Sequence, residues 1–165
     1  GEGLQLALNV GAMLLAFIAL IAMLNHMVHM VYVHIFPYSW FPKNLEVFFG
    51  WCFSPLAFIM GTPWKDCKYV GTLMGLKTVV NEFVGYQRLA SFKADATINL
   101  SARAEVISTY ALCGFSNFSS IAIQLGGLGA MAPSRKHDLA KLGIRALIGG
   151  SLACFMTATI AGLIM

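Results

Sequence analysis

The chain has 165 residues, 58% of them hydrophobic and 11% charged, with a mean hydropathy of +0.74; soluble domains carry roughly 25% charged residues. A soluble chain of this length could not enclose so much apolar surface, which points to an integral membrane protein. The net charge of +4 comes from basic residues scattered between apolar segments, without a stripe of interleaved aromatics, so it serves topology and not a nucleic-acid partner.

The opening Gly1-Glu2-Gly3 carries no methionine, as expected of a fragment. The apolar run behind it lacks the basic n-region and cleavage site of a signal peptide. Residues 4–23 are nearly all apolar, long enough to cross a hydrocarbon core of about 30 Å. Helical pattern continues through His26, Met27, Met30 and Tyr32, which predicts one long transmembrane helix over 1–34. The run Phe36-Pro37-Tyr38-Ser39-Trp40-Phe41-Pro42 then reads as an interfacial aromatic belt.

Residues 45–60 are apolar but span only about 24 Å as a helix, and Pro55 lies among them. They are expected to form a broken or interfacial helix, so that 35–61 does not cross. Thr62-Pro63-Trp64 is a helix start, with Thr62 as N-cap. From there 62–92 reads as a re-entrant hairpin. Its arm over 65–80 meets a polar tip at Asn81-Glu82 and turns into 83–90, with a polar loop expected over 91–101.

A discontinuous transmembrane helix is expected over 101–131, apolar at 102–113, interrupted at 114–120 and resumed at 121–131. After the turn Met131-Ala132-Pro133-Ser134 comes the basic loop Ser134-Arg135-Lys136-His137-Asp138-Leu139-Ala140-Lys141, and then a last span within 139–165. The basic loop is expected on the cytoplasmic side, which puts the C-terminus outside. The class expected is therefore an all-α membrane protein, with transmembrane helices, a re-entrant helical hairpin and a discontinuous helix.

Two polar islands interrupt these apolar segments. An ionisable group at membrane depth is costly and marks a functional site by default. Glu82 in the first island could accept sugar hydroxyls, ligate Na⁺ or carry a proton. The competing reading is a structural ion pair with Lys77, but five residues is poor spacing for one helix face. The second island, Gly114-Phe115-Ser116-Asn117-Phe118-Ser119-Ser120, offers amide and hydroxyl donors and acceptors suited to an uncharged polyhydroxylated ligand. Its competing reading is that the serines bond back to carbonyls at i−4 and only bend a helix. Paired polar breaks of this kind build binding sites in transporters.

Three ordered motifs closely resemble the concentrative nucleoside transporter family. Gly75, Lys77, Asn81, Glu82, Phe83, Val84 and Tyr86 satisfy the first. Tyr110-Ala111-Leu112-Cys113-Gly114-Phe115-Ser116-Asn117 forms the second, and Met131-Ala132-Pro133-Ser134-Arg135-Lys136 the third. The resemblance covers the whole chain but only the C-terminal half of a family member. It implies that the first helix is a scaffold span in a homotrimer and that Asn81-Glu82 tips the second of two hairpins. It also implies that Glu82, Asn117 and Ser120 hold the ribose hydroxyls, with Phe115 near the nucleobase and Asn81 beside them. The implied function is cation-coupled symport of nucleosides such as uridine across a plasma or inner membrane, Na⁺ being favoured over H⁺ as the coupling cation, with no other cofactor. Gly85 stands where many relatives have alanine, a small departure.

Other candidates are weaker. Gly126-Gly127-Leu128-Gly129 lacks the Lys-Ser/Thr pair of a P-loop. His26, His29 and His34 have no further ligand cluster and read as interfacial. Cys52, Cys67, Cys113 and Cys154 show no pairing pattern and read as free thiols. No nucleophile–base arrangement emerges, so an enzyme is not expected. The alternatives to a symporter are a channel lined by Glu82, a non-transporting fragment, and, further off, a membrane-embedded enzyme.

Overall fold

A computed structural model describes residues 1–35 and 42–165, and among them every regular element is helical. The aromatic belt expected at 36–41 lies outside the described residues. Seven α-helices follow in order: α1 (Glu2–His34), α2 (Leu45–Ile59), α3 (Trp64–Val79), α4 (Glu82–Ala94), α5 (Ala102–Leu112), α6 (Phe118–Met131) and α7 (Lys136–Ile164), with a 3-10 turn at Pro133–Arg135 before α7. Two helical stretches, Gly3–His34 and Pro133–Ile164, are long and apolar enough to cross a membrane. α1 packs mainly on α6 and leaves large apolar side chains such as Leu4, Leu15 and Met27 exposed.

α2 is one continuous helix despite Pro55, not the broken one that its proline suggested. Its first turn is held twice, because Asn44 Oδ1 accepts from Val47 N at 2.8 Å and Asn25 Oδ1 of α1 accepts from Leu45 N at 2.9 Å. Gly61, at φ 95°, turns the chain into α3 through a conformation that side chains disfavour. The expected N-cap is displaced by one: Pro63 stands at that position. Thr62 is buried in the turn, where its amide bonds Ala57 O at 3.1 Å and its hydroxyl has no partner among the described residues.

α2 and α3 pack backbone to backbone. A Cβ on Gly71 would lie 2.5 Å from Gly50 O and 2.8 Å from Ser54 N, and one on Gly75 would lie 2.9 Å from both Glu46 O and Gly50 N. We expect Gly71→Ala to lower stability by roughly 1–3 kcal/mol, as overpacking does where rigid atoms must give way. Gly149→Ala, whose Cβ meets nothing within 4 Å, should be neutral. Melting temperatures of the two variants check the contrast.

α3 is the central element. On one side its Cys67, Val70 and Met74 pack with Ala57 of α2, Ala104 and Ile107 of α5, and Phe155 of α7. On the other, Leu73 packs with Leu89 and Phe92 of α4 and with Leu100 and Leu112. Asp66, buried in the first turn of α3, accepts from Ser101 Oγ at 2.7 Å and Ser101 N at 3.2 Å, while Ser101 caps α5. One carboxylate thus serves two helix N-termini, where negative charge is favoured, and it brings the starts of α3 and α5 together.

Three boundaries differ from expectation. α4 continues to Ala94, so residues 91–94 are helical and not loop. Phe92 anchors this turn, buried against Tyr69 at 5.3 Å, with Arg88 over its ring, and Lys93 reaches Glu105 of α5 at 2.8 Å. Beyond it the Thr97 hydroxyl and amide bond the Asp95 carboxyl and hold its pKa below the ordinary value. The basic segment 134–141 is likewise no loop: a 3-10 turn runs directly into α7, with Arg135 bonded to Asp138 at 2.6 Å in the first turn. Finally, α6 begins at Phe118, which narrows the second break to 113–117.

Candidate functional site

The chain between α3 and α4 leaves helical geometry only at Val80 and Asn81. Asn81 Oδ1 accepts from Val84 N at 2.9 Å and caps α4; its Nδ2 has no partner among the described residues. Glu82 is the first residue of α4 and half-buried. At the second break Asn117 plays the same part for α6. Its Oδ1 accepts from Ser120 N and Ser120 Oγ, both at 2.8 Å, and lies 2.6 Å from the donor Ser119 Oγ.

The two breaks meet through side chains. Asn117 Nδ2 donates to Glu82 Oε2 at 2.8 Å across 35 residues of sequence. Ser119 Oγ also lies 2.9 Å from Val80 O, so its single proton can serve either break. Two capped helix N-termini therefore converge on one carboxylate, the end of a helix dipole that favours an anion. Asn117 is 1% exposed and its acceptor is saturated, whereas Glu82 Oε1 has no partner among the described residues and remains a free acceptor. Ser119 and Ser120 bond across the break and to the cap, and Ser116 faces Cys154 Sγ of α7 at 4.0 Å; none of the three bonds a carbonyl at i−4.

Lys77 does not pair with Glu82. It is fully buried, and its ammonium donates to Ala111 O, near the end of α5, at 2.9 Å. That removes the ion-pair reading of Glu82. All four cysteines are free thiols, as their spacing suggested.

Beside the junction, a cavity of about 430 Å³ runs between α6 and α7, a size within the range of small-molecule sites. Phe115, Asn117, Ser120 and Gln124 line it, and apolar residues of α7 such as Leu142 and Leu147 form the opposite wall. Glu82 and Asn81 are not among its lining residues. Phe115 is 79% exposed, an aromatic face open to whatever enters. Gln124 was not among the residues expected at the site, whereas Ser119 belonged to the second polar island. Gln124 had a legible signal, a polar residue four after Ser120 on one face of an apolar helix. Ser119 was legible as part of that island but its partner was not, because Val80 O is a backbone atom from the other break.

Residues 1–162 match the family described as Na+ dependent nucleoside transporter C-terminus. The chain is 41% identical over 172 residues to the nucleoside permease NupC of Helicobacter pylori, covering 98% of this chain and 38% of that protein. It is 50% identical over 166 residues to an uncharacterized transporter of Haemophilus influenzae, covering 98% and 38%. With solute carrier family 28 member 3 of Homo sapiens it shares 40% identity over 181 residues, covering 99% and 25%. The chain thus spans about two fifths of the length of the bacterial relatives and a quarter of the human one. Among solved structures, a CNTnw variant in an outward-facing state superposes with a TM-score of 0.88 at 44% identity, covering 97% of this chain and 39% of that one. CNTnw in an inward-facing, substrate-bound state gives 0.75 at 45%, covering 98% and 38%.

Proposed function

The chain belongs to the family of Na⁺ dependent nucleoside transporters, as the C-terminal part of a member, and from that membership we propose that it supplies the sugar-binding half of a cation-coupled nucleoside symporter. It is accordingly an integral membrane protein and not an enzyme.

The observation that carries the reading is the 2.8 Å bond between Asn117 Nδ2 and Glu82 Oε2. It ties two helix breaks into one polar junction beside an apolar cavity. Glu82, through its free Oε1, accepts a ribose hydroxyl. The Ser120 hydroxyl, which donates to Asn117 here, still has lone pairs for a second hydroxyl. Asn117 orients both, Asn81 Nδ2 offers a further donor, and Phe115 stacks near the nucleobase. A neutral nucleoside needs no more charge than this, and no phosphate clamp.

In this reading α3–α4 is a re-entrant hairpin and α5–α6 a discontinuous span, because irregular backbone at membrane depth is tolerated only where protein or a wet cavity surrounds it. Relatives solved in outward-facing and inward-facing states support alternating access between two arrangements, with the cation gradient, Na⁺ before H⁺, as driving force. Basic residues from Arg135 to Lys141 mark the cytoplasmic end, which leaves the C-terminus outside. The exposed apolar face of α1 supports its use as a scaffold span in a homotrimer.

The test is uptake of radiolabelled uridine by the full-length parent in proteoliposomes, with Na⁺ and H⁺ gradients imposed separately. Saturable uptake driven by the Na⁺ gradient and competed by other nucleosides is expected. Non-saturable flux would make it a channel, and no flux from correctly inserted protein would leave a non-transporting segment.

A further inference from the structure

The last four carbonyls of a helix have no partner within it, and in a helix that stops inside a membrane protein they need another donor. α5 ends at Leu112, and all four of its terminal carbonyls are accounted for. Leu112 O accepts from Gly114 N at 2.8 Å and Tyr110 O from Cys113 N at 3.2 Å, both within the break. The other two are reached from the hairpin: Thr109 O accepts from Tyr86 Oη at 2.8 Å, and Ala111 O from Lys77 Nζ at 2.9 Å.

Lys77 is the unusual member of this set. Its side chain is 0% exposed already within this segment, and its ammonium lies 5.4 Å from the centre of the Phe155 ring on α7, a face that attracts cations. A helix C-terminus carries partial negative charge and favours a cation. In transporters built from broken helices, such half-helix ends and unwound carbonyls are where monovalent cations coordinate. Gly114 keeps the space open, since a Cβ there would collide with Cys154 Sγ and come within 3.8 Å of Lys77 Nζ.

We propose that Lys77 is a tethered cation, a positioning residue whose ammonium fills the cation position at the C-terminal end of α5 and so holds the break in shape without an exchangeable ion. It acts on the substrate through the break: Ala111 is six residues before Asn117, and the segment between them sets where Asn117 meets Glu82. The consequence is that this half binds no coupling ion at the α5 end. The inference rests on the symporter reading for its role in transport, though not for the chemistry at α5.

The test uses Lys77→Ala and Lys77→Met in the full-length transporter, at fixed Na⁺, with methylammonium titrated against bulkier tetramethylammonium at equal ionic strength. Lys77→Ala should melt below wild type and bind nucleoside roughly 10- to 30-fold more weakly, the scale of a lost partly buried cation at a helix end. Methylammonium should restore both quantities, and tetramethylammonium neither. Lys77→Met fills the space with an apolar chain and should not be restored by either ion. Wild-type melting and affinity in Lys77→Ala, or losses that methylammonium leaves equal in the two variants, would overturn the proposal. If neither variant folds, the readout is the yield of monodisperse protein extracted in methylammonium. Recovery of Lys77→Ala alone supports the tethered cation, and recovery of both or neither sinks it. Failure of the symporter reading would look different: wild-type protein would bind no nucleoside, whatever the melting curves of the variants.

Discussion

Glu82→Gln in the full-length transporter should abolish most nucleoside binding while the protein still folds. Glutamine keeps the size of the side chain and can still accept from Asn117 Nδ2, the bond that joins the two breaks at 2.8 Å. What it loses is the second carboxylate oxygen, Oε1, which becomes an amide that presents protons to a substrate hydroxyl. A hydrogen bond to a charged group contributes about 1.5–3 kcal/mol, so affinity should fall roughly 10- to 100-fold. Equilibrium binding of labelled uridine measures the fall, and a melting temperature near wild type shows that the fold survives. Wild-type affinity in this variant would remove Glu82 from the site.

Asn117→Asp should be more damaging still, although it changes one atom. Asn117 is buried, and its two ends do different work: Oδ1 collects Ser119 and Ser120 while Nδ2 reaches Glu82. Aspartate preserves the first set and replaces the donor to Glu82 with a second anion. Two carboxylates in contact cannot both stay ionised cheaply. Leaving a buried charge without its partner costs about 3–5 kcal/mol, enough to separate the breaks or force a proton between them. The expected result is no measurable uridine binding under conditions where wild type saturates, together with a lowered melting temperature. Asn117→Asp with both quantities unchanged would show that the junction at 2.8 Å does not hold the site together.

The motif through which the chain resembled a transporter family becomes a set of separate physical jobs in the structure. Gly75 allows α2 to lie against the backbone of α3. Lys77 and Tyr86 take carbonyls at the end of α5, Asn81 caps α4, and Glu82 holds Asn117. The departure at Gly85 is equally local. A Cβ there would press on Leu112 Cδ2 at 2.7 Å, the end of a side chain that can shift.

Much of this was legible before any coordinates. Composition alone required a membrane protein, because so few charges cannot cover a soluble surface of this size. The two polar islands announced themselves because polar groups in an apolar run are costly and must be compensated. Apolar length predicted α1 well, since a continuous run of that kind has one stable form in lipid.

Tertiary contacts settled what local pattern could not. Residues 91–94 read as loop, but Phe92 has a buried niche against Tyr69 that extends α4. The segment 134–141 read as a basic loop, but exposed helix tolerates the same residues and α7 starts at Lys136. The partners of Lys77 and Ser119 were beyond reach for a simpler reason. Both are backbone carbonyls, at Ala111 and Val80, and a carbonyl carries no mark in the sequence. Local composition therefore determined that two breaks exist and which polar groups each one offers. Only the packing of α3, α4, α5 and α6 decided which donor meets which acceptor, because that depends on distances between segments about 35 residues apart.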